Sequence, residues 1–149
     1  MNYKSNRNIV YSCKYHIVFC PKYRRKILVG DVDKRLKQII LNLAAEMNVE
    51  IIEMETDINH IHILADIDPQ FGVNSFVKRI KGASSRALRS EFPFLKSSLP
   101  TLWTNSYFVS TVGGVNLEIV KAYIENQQTS QRPGEQAKWE RFLNEQTNS

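Results

Sequence analysis

Read in order, the 149 residues give β-α-β-β-α-β and then one more helix, which predicts an α+β protein of the ferredoxin-like, split β-α-β class. Three observations carry this prediction. Two β-rich segments, "VEIIEMET" and "HIHILADI", are separated only by "DIN", a link short enough for a hairpin. Two longer segments with apolar residues at helical spacing each stand between strands. A strand opens the order and another closes it before the last helix. In this class the first and third strands lie side by side at the centre of an antiparallel sheet, and helices cover one face. The other face stays open for a ligand or an added element, here the extra C-terminal helix carrying Tyr123.

Residues 9–20, "IVYSCKYHIVFC", alternate and are rich in β-formers, so they read as the first strand. "PKYRRKILVGD" follows as a basic turn punctuated by Pro21 and Gly30. From Val32 to Met47, apolar Val32, Leu36, Ile39, Ile40, Leu43 and Ala44 recur at helical spacing, with Asp31 or Asp33 placed to cap. The second strand covers 49–56 and the third 60–67. Residues 73–90 form a second helix: Val73, Phe76, Val77, Ile80, Ala83, Ala87 and Leu88 share one side, and Lys78, Lys81, Arg86 and Arg89 the other, with Arg79 at the margin. "EFPFLKSSLP" reads as a loop and "SYFVSTV" (106–112) as the fourth strand. Gly113 and Gly114 then break the chain before a helix over 115–128. One domain is expected over 1–128, with 129–149 as a tail that includes a short helix around Glu135–Leu143.

Composition narrows the function classes. No apolar run reaches the roughly 18–20 residues of a membrane span, and the N-terminus lacks the apolar core of a secretory signal, so a cytoplasmic protein without membrane contacts is expected. Cys13 and Cys20, seven apart on one strand, point to opposite faces and cannot bridge, which excludes a disulfide framework or a cysteine zinc site. The net charge is only +5, but it is unevenly placed. Residues 1–30 hold Lys4, Arg7, Lys14, Lys22, Arg24, Arg25 and Lys26 and no acid. Residues 71–90 hold Lys78, Arg79, Lys81, Arg86 and Arg89, again without an acid. Two acid-free blocks fit a polyanionic partner, nucleic acid before membrane; a merely solvated basic face is the alternative.

The candidate chemistry starts at "HIHIL". Residues two apart on a strand share a face, so His60, His62, Leu64 and Asp66 point one way and Ile61, Ile63, Ala65 and Ile67 the other. The apolar set belongs against the helices, which leaves both imidazoles on the open face, near His16 and Lys14 of the first strand. Two neutral imidazoles can hold a divalent ion together. They can equally form a polar patch, since H-x-H arises often by chance. The last helix adds Tyr123 and Gln127, four apart and so on one stripe. One reading makes them packing and surface; the other lays that helix across the open face, with Gln127 giving an oxygen to the histidine site and Tyr123 beside the ion. A tyrosine can act as a covalent nucleophile, and its phosphate ester conserves the energy of a broken phosphodiester for rejoining.

Taken together, five segments resemble the single-tyrosine HUH transposases of the smallest insertion sequences, the TnpA type. They are "YHIVFCPKYRRKIL", "HIH", "VKRIKGASSRALRSEFP", "LWTNSYFVSTVGG" and "YIENQ", in that order, within residues 10–128. The resemblance implies a magnesium or manganese ion held by His60, His62 and Gln127, with Tyr123 as nucleophile. It implies cleavage of single-stranded DNA to a 5′-phosphotyrosine and a free 3′-hydroxyl in a bacterial or archaeal cell. It also implies a homodimer that recognises hairpins near the element ends, with the tyrosine helix of one subunit able to complete the other's site. The family often has Asp before the first histidine, where this chain has Asn59, which can orient an imidazole without adding charge. His16 is a second candidate for such support.

For DNA, the Lys22, Arg24, Arg25 and Lys26 turn and the basic side of the 73–90 helix (Lys78, Arg79, Lys81, Arg86, Arg89) are the expected phosphate contacts; Tyr23 and Trp103 are candidate stacking partners for unpaired bases, although plain packing is the commoner role of each. Rival readings are a non-catalytic nucleic-acid module of RNA-recognition-like fold, whose stacking aromatics are missing from the third strand, and another HUH tyrosine endonuclease, such as a replication initiator or relaxase. A domesticated, inactive relative is a third.

Overall fold

The computed structural model describes residues 3–112 and 122–125. Four strands form an antiparallel sheet in the order β4 (Glu50–Asp57), β5 (His60–Asp66), β3 (Lys14–Phe19), β6 (Phe108–Thr111). The central pair is therefore the strand of residues 14–19 and the histidine strand, as the split β-α-β layout requires. A two-stranded ribbon, β1 (Lys4–Ser5) with β2 (Val10–Tyr11), precedes the sheet.

The ribbon changes one expectation. The single strand over 9–20 is broken at Ser12–Cys13, because Asp66 draws the chain aside. Its buried carboxylate accepts the Cys13 N–H at 2.9 Å and an ion pair from Lys4 at 3.0 Å, and Ile67 N–H donates to the Cys13 carbonyl. A buried carboxylate must be paired, and the ribbon brings it a cation. Asn6 then ties the ribbon's turn to Asp68 and Gln70.

Helix α1 (Gly30–Glu46) begins two residues earlier than the spacing predicts, and neither Asp31 nor Asp33 caps it. Asp33 instead accepts from Thr56 Oγ1 at 2.5 Å and from Lys37 at 3.2 Å, tying the helix to β4. Asn48, in the left-handed region at φ 54°, ends α1 where a Cβ is least penalised for such a residue. Helix α2 (Val73–Glu91) matches its predicted span closely. The segment read as a loop contains α3 (Pro93–Ser98), opened by a proline whose fixed φ suits a first turn and anchored by buried Leu95.

Ile17 and Phe19 of β3, Ile61, Ile63 and Ala65 of β5, Leu36 and Ile40 of α1, and Phe76, Val77 and Ile80 of α2 share one core. Both long helices thus cover the face opposite the histidines. Trp103 belongs to this core rather than to a base-stacking surface: its indole N–H donates to buried Ser84 at 3.0 Å, and its ring meets Phe19 edge-on at 4.8 Å. No helix among the described residues is long and apolar enough to cross a membrane. The 129–149 tail and its expected short helix lie outside the described residues, as do Gly113, Gly114 and residues 115–121 and 126–128 of the expected last helix.

Candidate active site

Strand register sets the site. On β5, Ile61, Ile63 and Ala65 are fully buried against the helices, so His60 and His62 stand on the other face, each half-buried. Pairing of Val18 with His62 and with Phe108, and of His16 with Leu64 and Ser110, puts all of these on that same face. His16 reaches His62 directly: its Nδ1 lies 3.0 Å from His62 Nε2, with the rings stacked at 13° and centroids 5.2 Å apart.

Asn59, at the tip of the β4–β5 hairpin, accepts from His60: Oδ1 and Nδ1 are 2.9 Å apart. An amide oxygen can only accept, so His60 carries its proton on Nδ1 and its lone pair on Nε2. Burial lowers the pKa of both His60 and His62, keeping them neutral at pH 7, the form a metal needs. The donor set therefore fits an ion through imidazole nitrogens. Among the described residues no group of three His, Cys, Asp or Glu is placed to hold one. Gln127, expected to be the third ligand, lies outside the described residues.

Tyr123 lies within a helical stretch, residues 122–125, and is buried. Its ring packs on Phe108 at 5.5 Å, and its hydroxyl is 3.3 Å from Ser106 Oγ. Phe108 is on the histidine face, so the tyrosine segment covers that face. Burial raises the phenol pKa well above its ordinary value, which the Ser106 hydrogen bond partly offsets and the nearby Cys20 thiol reinforces. Cys20 itself is fully buried and pushed up to about 12 by that burial, against the pull of Arg24 and Lys81.

The basic turn Lys22–Arg24 stands beside this face. Tyr23 (φ 60°) and Arg24 (φ 51°) are consecutive left-handed residues, a conformation costing on the order of 1 kcal/mol or more for each. The segment is docked by Leu28 N–H on the Ile58 carbonyl at 3.0 Å, next to Asn59 and His60. From there the Arg24 charge acts on both Cys20 and His60, lowering each pKa. Arg25 and Lys26 are exposed, and so is Tyr23.

The basic helix divides. Lys78 and Arg86 are exposed, and exposed Arg79 pairs with Glu46 at 3.4 Å. Lys81, expected to face outward with them, is turned in: it donates to the Thr104 and Ser106 carbonyls at 2.6 and 3.0 Å. Burial lowers its pKa to about 8, so it remains an ammonium at neutral pH and holds the chain that leads to Ser106 and β6. Arg89 is half-buried, with Nη2 on the Leu99 carbonyl at 3.4 Å and no partner for Nε. Arg86, Arg89, Ser85 and Ser90 line a cleft of about 520 Å³ with Pro93 and Lys96, and no carboxylate among them.

Sequence reasoning missed the acids. On β4, Asp57 stands across from His60, Glu55 across from His62 and Glu53 across from Leu64, so three carboxylates flank the imidazoles. The alternation in "EMETD" together with the three-residue link was the available signal.

The family profile described as "Transposase IS200 like" matches residues 9–127. The chain is 40% identical over 126 residues to the ISDra2 transposase TnpA of Deinococcus radiodurans, covering 83% of this chain and 90% of that one. It is 38% identical over 135 residues to the transposase of insertion sequence IS200 from Salmonella typhimurium, covering 89% and 88%. A crystal structure of a D. radiodurans R1 protein described as a transposase superimposes with a TM-score of 0.77 at 37% identity, over 83% of this chain and 97% of that one. A REP-associated tyrosine transposase bound to a REP hairpin aligns at TM-score 0.52 and 14% identity, over 87% and 74%, a likeness of fold. With its histidine strand, its buried tyrosine and a profile match over most of its length, this chain belongs to the IS200-like transposase family and is a tyrosine transposase.

Proposed function

We propose that the protein cuts and rejoins single-stranded DNA at the ends of an insertion sequence through a covalent bond to Tyr123. The observation that carries this reading is the burial of the Tyr123 hydroxyl against Ser106, on the sheet face that also presents His60 and His62. In the cleavage step the Tyr123 oxygen attacks the scissile phosphorus and the bond from phosphorus to the 3′ oxygen breaks. The 3′ oxygen leaves with a proton, and the DNA 5′ end remains as a phosphotyrosine. Attack by another 3′-hydroxyl reverses the step and joins new ends without ATP.

His60, His62 and Gln127 would hold magnesium or manganese, which when bound supplies Lewis-acid polarisation of the phosphate and orients it. Asn59 keeps the His60 ring in its ligating tautomer. Because burial keeps the phenol protonated, Tyr123 needs a neighbouring positive charge or a base to lose its proton. All three ligands are neutral, so the ion is bound firmly only together with DNA phosphate.

Lys22–Lys26 would contact the strand entering the site, and Lys78, Arg86 and Arg89 the phosphates of a subterminal hairpin. A REP-associated tyrosine transposase of similar fold is itself bound to a REP hairpin. The protein would act in the cytoplasm as a homodimer with sites completed between subunits. The test is incubation with labelled single-stranded DNA carrying the element end, with and without Mg²⁺. A covalent adduct that requires Mg²⁺ and disappears in Tyr123→Phe is expected; an adduct persisting in that variant would sink the assignment, and binding without any adduct would favour a non-catalytic module.

A further inference from the structure

We propose that His16 is a positioning residue that fixes the ring tautomer of His62, so that His62 meets the ion through Nδ1 while His60 meets it through Nε2. This deepens the metal site proposed above and rests on it. The geometry that carries it is the 3.0 Å contact between His16 Nδ1 and His62 Nε2, made by two rings parallel to within 13°. The contact is built into the sheet, since His16 and His62 come from the two central strands, two pairs apart in the β3–β5 register and so on one face.

A hydrogen bond between two imidazole nitrogens needs one donor and one acceptor. If His16 donates, the lone pair of His62 Nε2 is occupied and its Nδ1 carries the proton, leaving no nitrogen for an ion. If His62 donates from Nε2, its Nδ1 lone pair is free. The second arrangement treats both ligands alike. His60 has one nitrogen anchored by Asn59 and the other available, and His62 has one nitrogen anchored by His16 and the other available. Donating the second N–H to a fixed acceptor is the usual way a metal-binding histidine is oriented.

Long-range 1H–15N correlation on the full chain, without metal, reads the tautomer directly. The expected spectrum has His62 protonated at Nε2; a proton on Nδ1 overturns the proposal. Mn²⁺ titration followed by paramagnetic broadening then compares variants. His16→Phe, which keeps a flat ring without an acceptor, should lose the tautomer preference and weaken Mn²⁺ binding about tenfold. His16→Asn, which keeps an acceptor, should restore most of it. Unchanged or tighter binding in His16→Phe, in a protein that melts cooperatively, refutes the role and makes His16 a bystander or a competitor. His60→Ala separates this from the underlying reading: Mn²⁺ binding that survives His60→Ala shows that the ion does not sit on these histidines at all.

Discussion

The Asn59 side chain offers a graded test of the metal reading, because it makes one defined contact. Its Oδ1 accepts the His60 Nδ1–H at 2.9 Å, and His60 is half-buried, so water can replace part of that bond. A neutral hydrogen bond of this kind is worth about 1 kcal/mol net, and a charge-assisted one about twice as much. Asn59→Ala should therefore weaken divalent binding about fivefold, and Asn59→Asp should strengthen it about fivefold, a span of about 2 kcal/mol or roughly 30-fold between the two. Asp57 stands beside this position, across from His60, so a new carboxylate at 59 should also lower the melting temperature slightly. Calorimetric titration with Mn²⁺ in the presence of a non-cleavable single-stranded DNA measures the series. An Asp variant no tighter than wild type, or an Ala variant no weaker, would mean that the Asn59 bond does not set the ligating form of His60.

Three further outcomes follow from the same structure. Both site histidines are held below the usual 6.5 by burial, so the unfolded chain takes up protons before the folded one does. Their contribution to stability is complete above pH 6.5 and is lost as pH falls through the window beneath it; a melting-temperature profile should slope downward there, and His60→Asn/His62→Asn should flatten it. Ser84→Ala removes the acceptor of the Trp103 indole N–H in the core and should cost about 1–3 kcal/mol, seen as a fall of several degrees in melting temperature with secondary structure intact. Neutralising Arg86 and Arg89 together should weaken hairpin binding and reduce the slope of log affinity against log salt by nearly 2, whereas an unchanged slope would remove the α2–α3 cleft from the interface.

The parts of the fold legible in the sequence were the locally determined ones. The 57–60 hairpin follows from a short link, the core faces of α1 and α2 from apolar spacing, and the placing of His60 and His62 on the face away from the helices from period-two alternation. What was hidden depended on distant partners. The break at Cys13 is made by Asp66, 53 residues away, and the inward turn of Lys81 by the carbonyls of Thr104 and Ser106. Trp103, a candidate base-stacker by composition, is held in the core by Ser84 and Phe19, neither of which its local sequence announces. Tyr123 was legible as a helix residue, with cover of the histidine face as one of two readings, and its contacts with Phe108 and Ser106 decide for that one.

The charge around the histidines shows why register mattered most. Strand β4 slips by one between Ile51 and Glu53: Ile51 pairs with Ala65, yet Glu53 pairs with Leu64. The extra residue, Ile52, is exposed, and the doubled "II" is its trace in the sequence. Without that bulge, Met54 would stand across from His62, and Glu55 and Glu53 would be carried to the helix face. With it, Met54 pairs with Ile63 toward the core, while Glu53, Glu55 and Asp57 line the histidine side. These acids pull the imidazole pKa values upward, but burial outweighs them and both rings stay neutral. The same row attracts a cation and repels a phosphate, while the Arg24 charge acts on His60 with the opposite sign. A phosphodiester therefore meets least resistance from the Lys22–Lys26 turn, and the bulge at Ile52 is what gives the site that polarity.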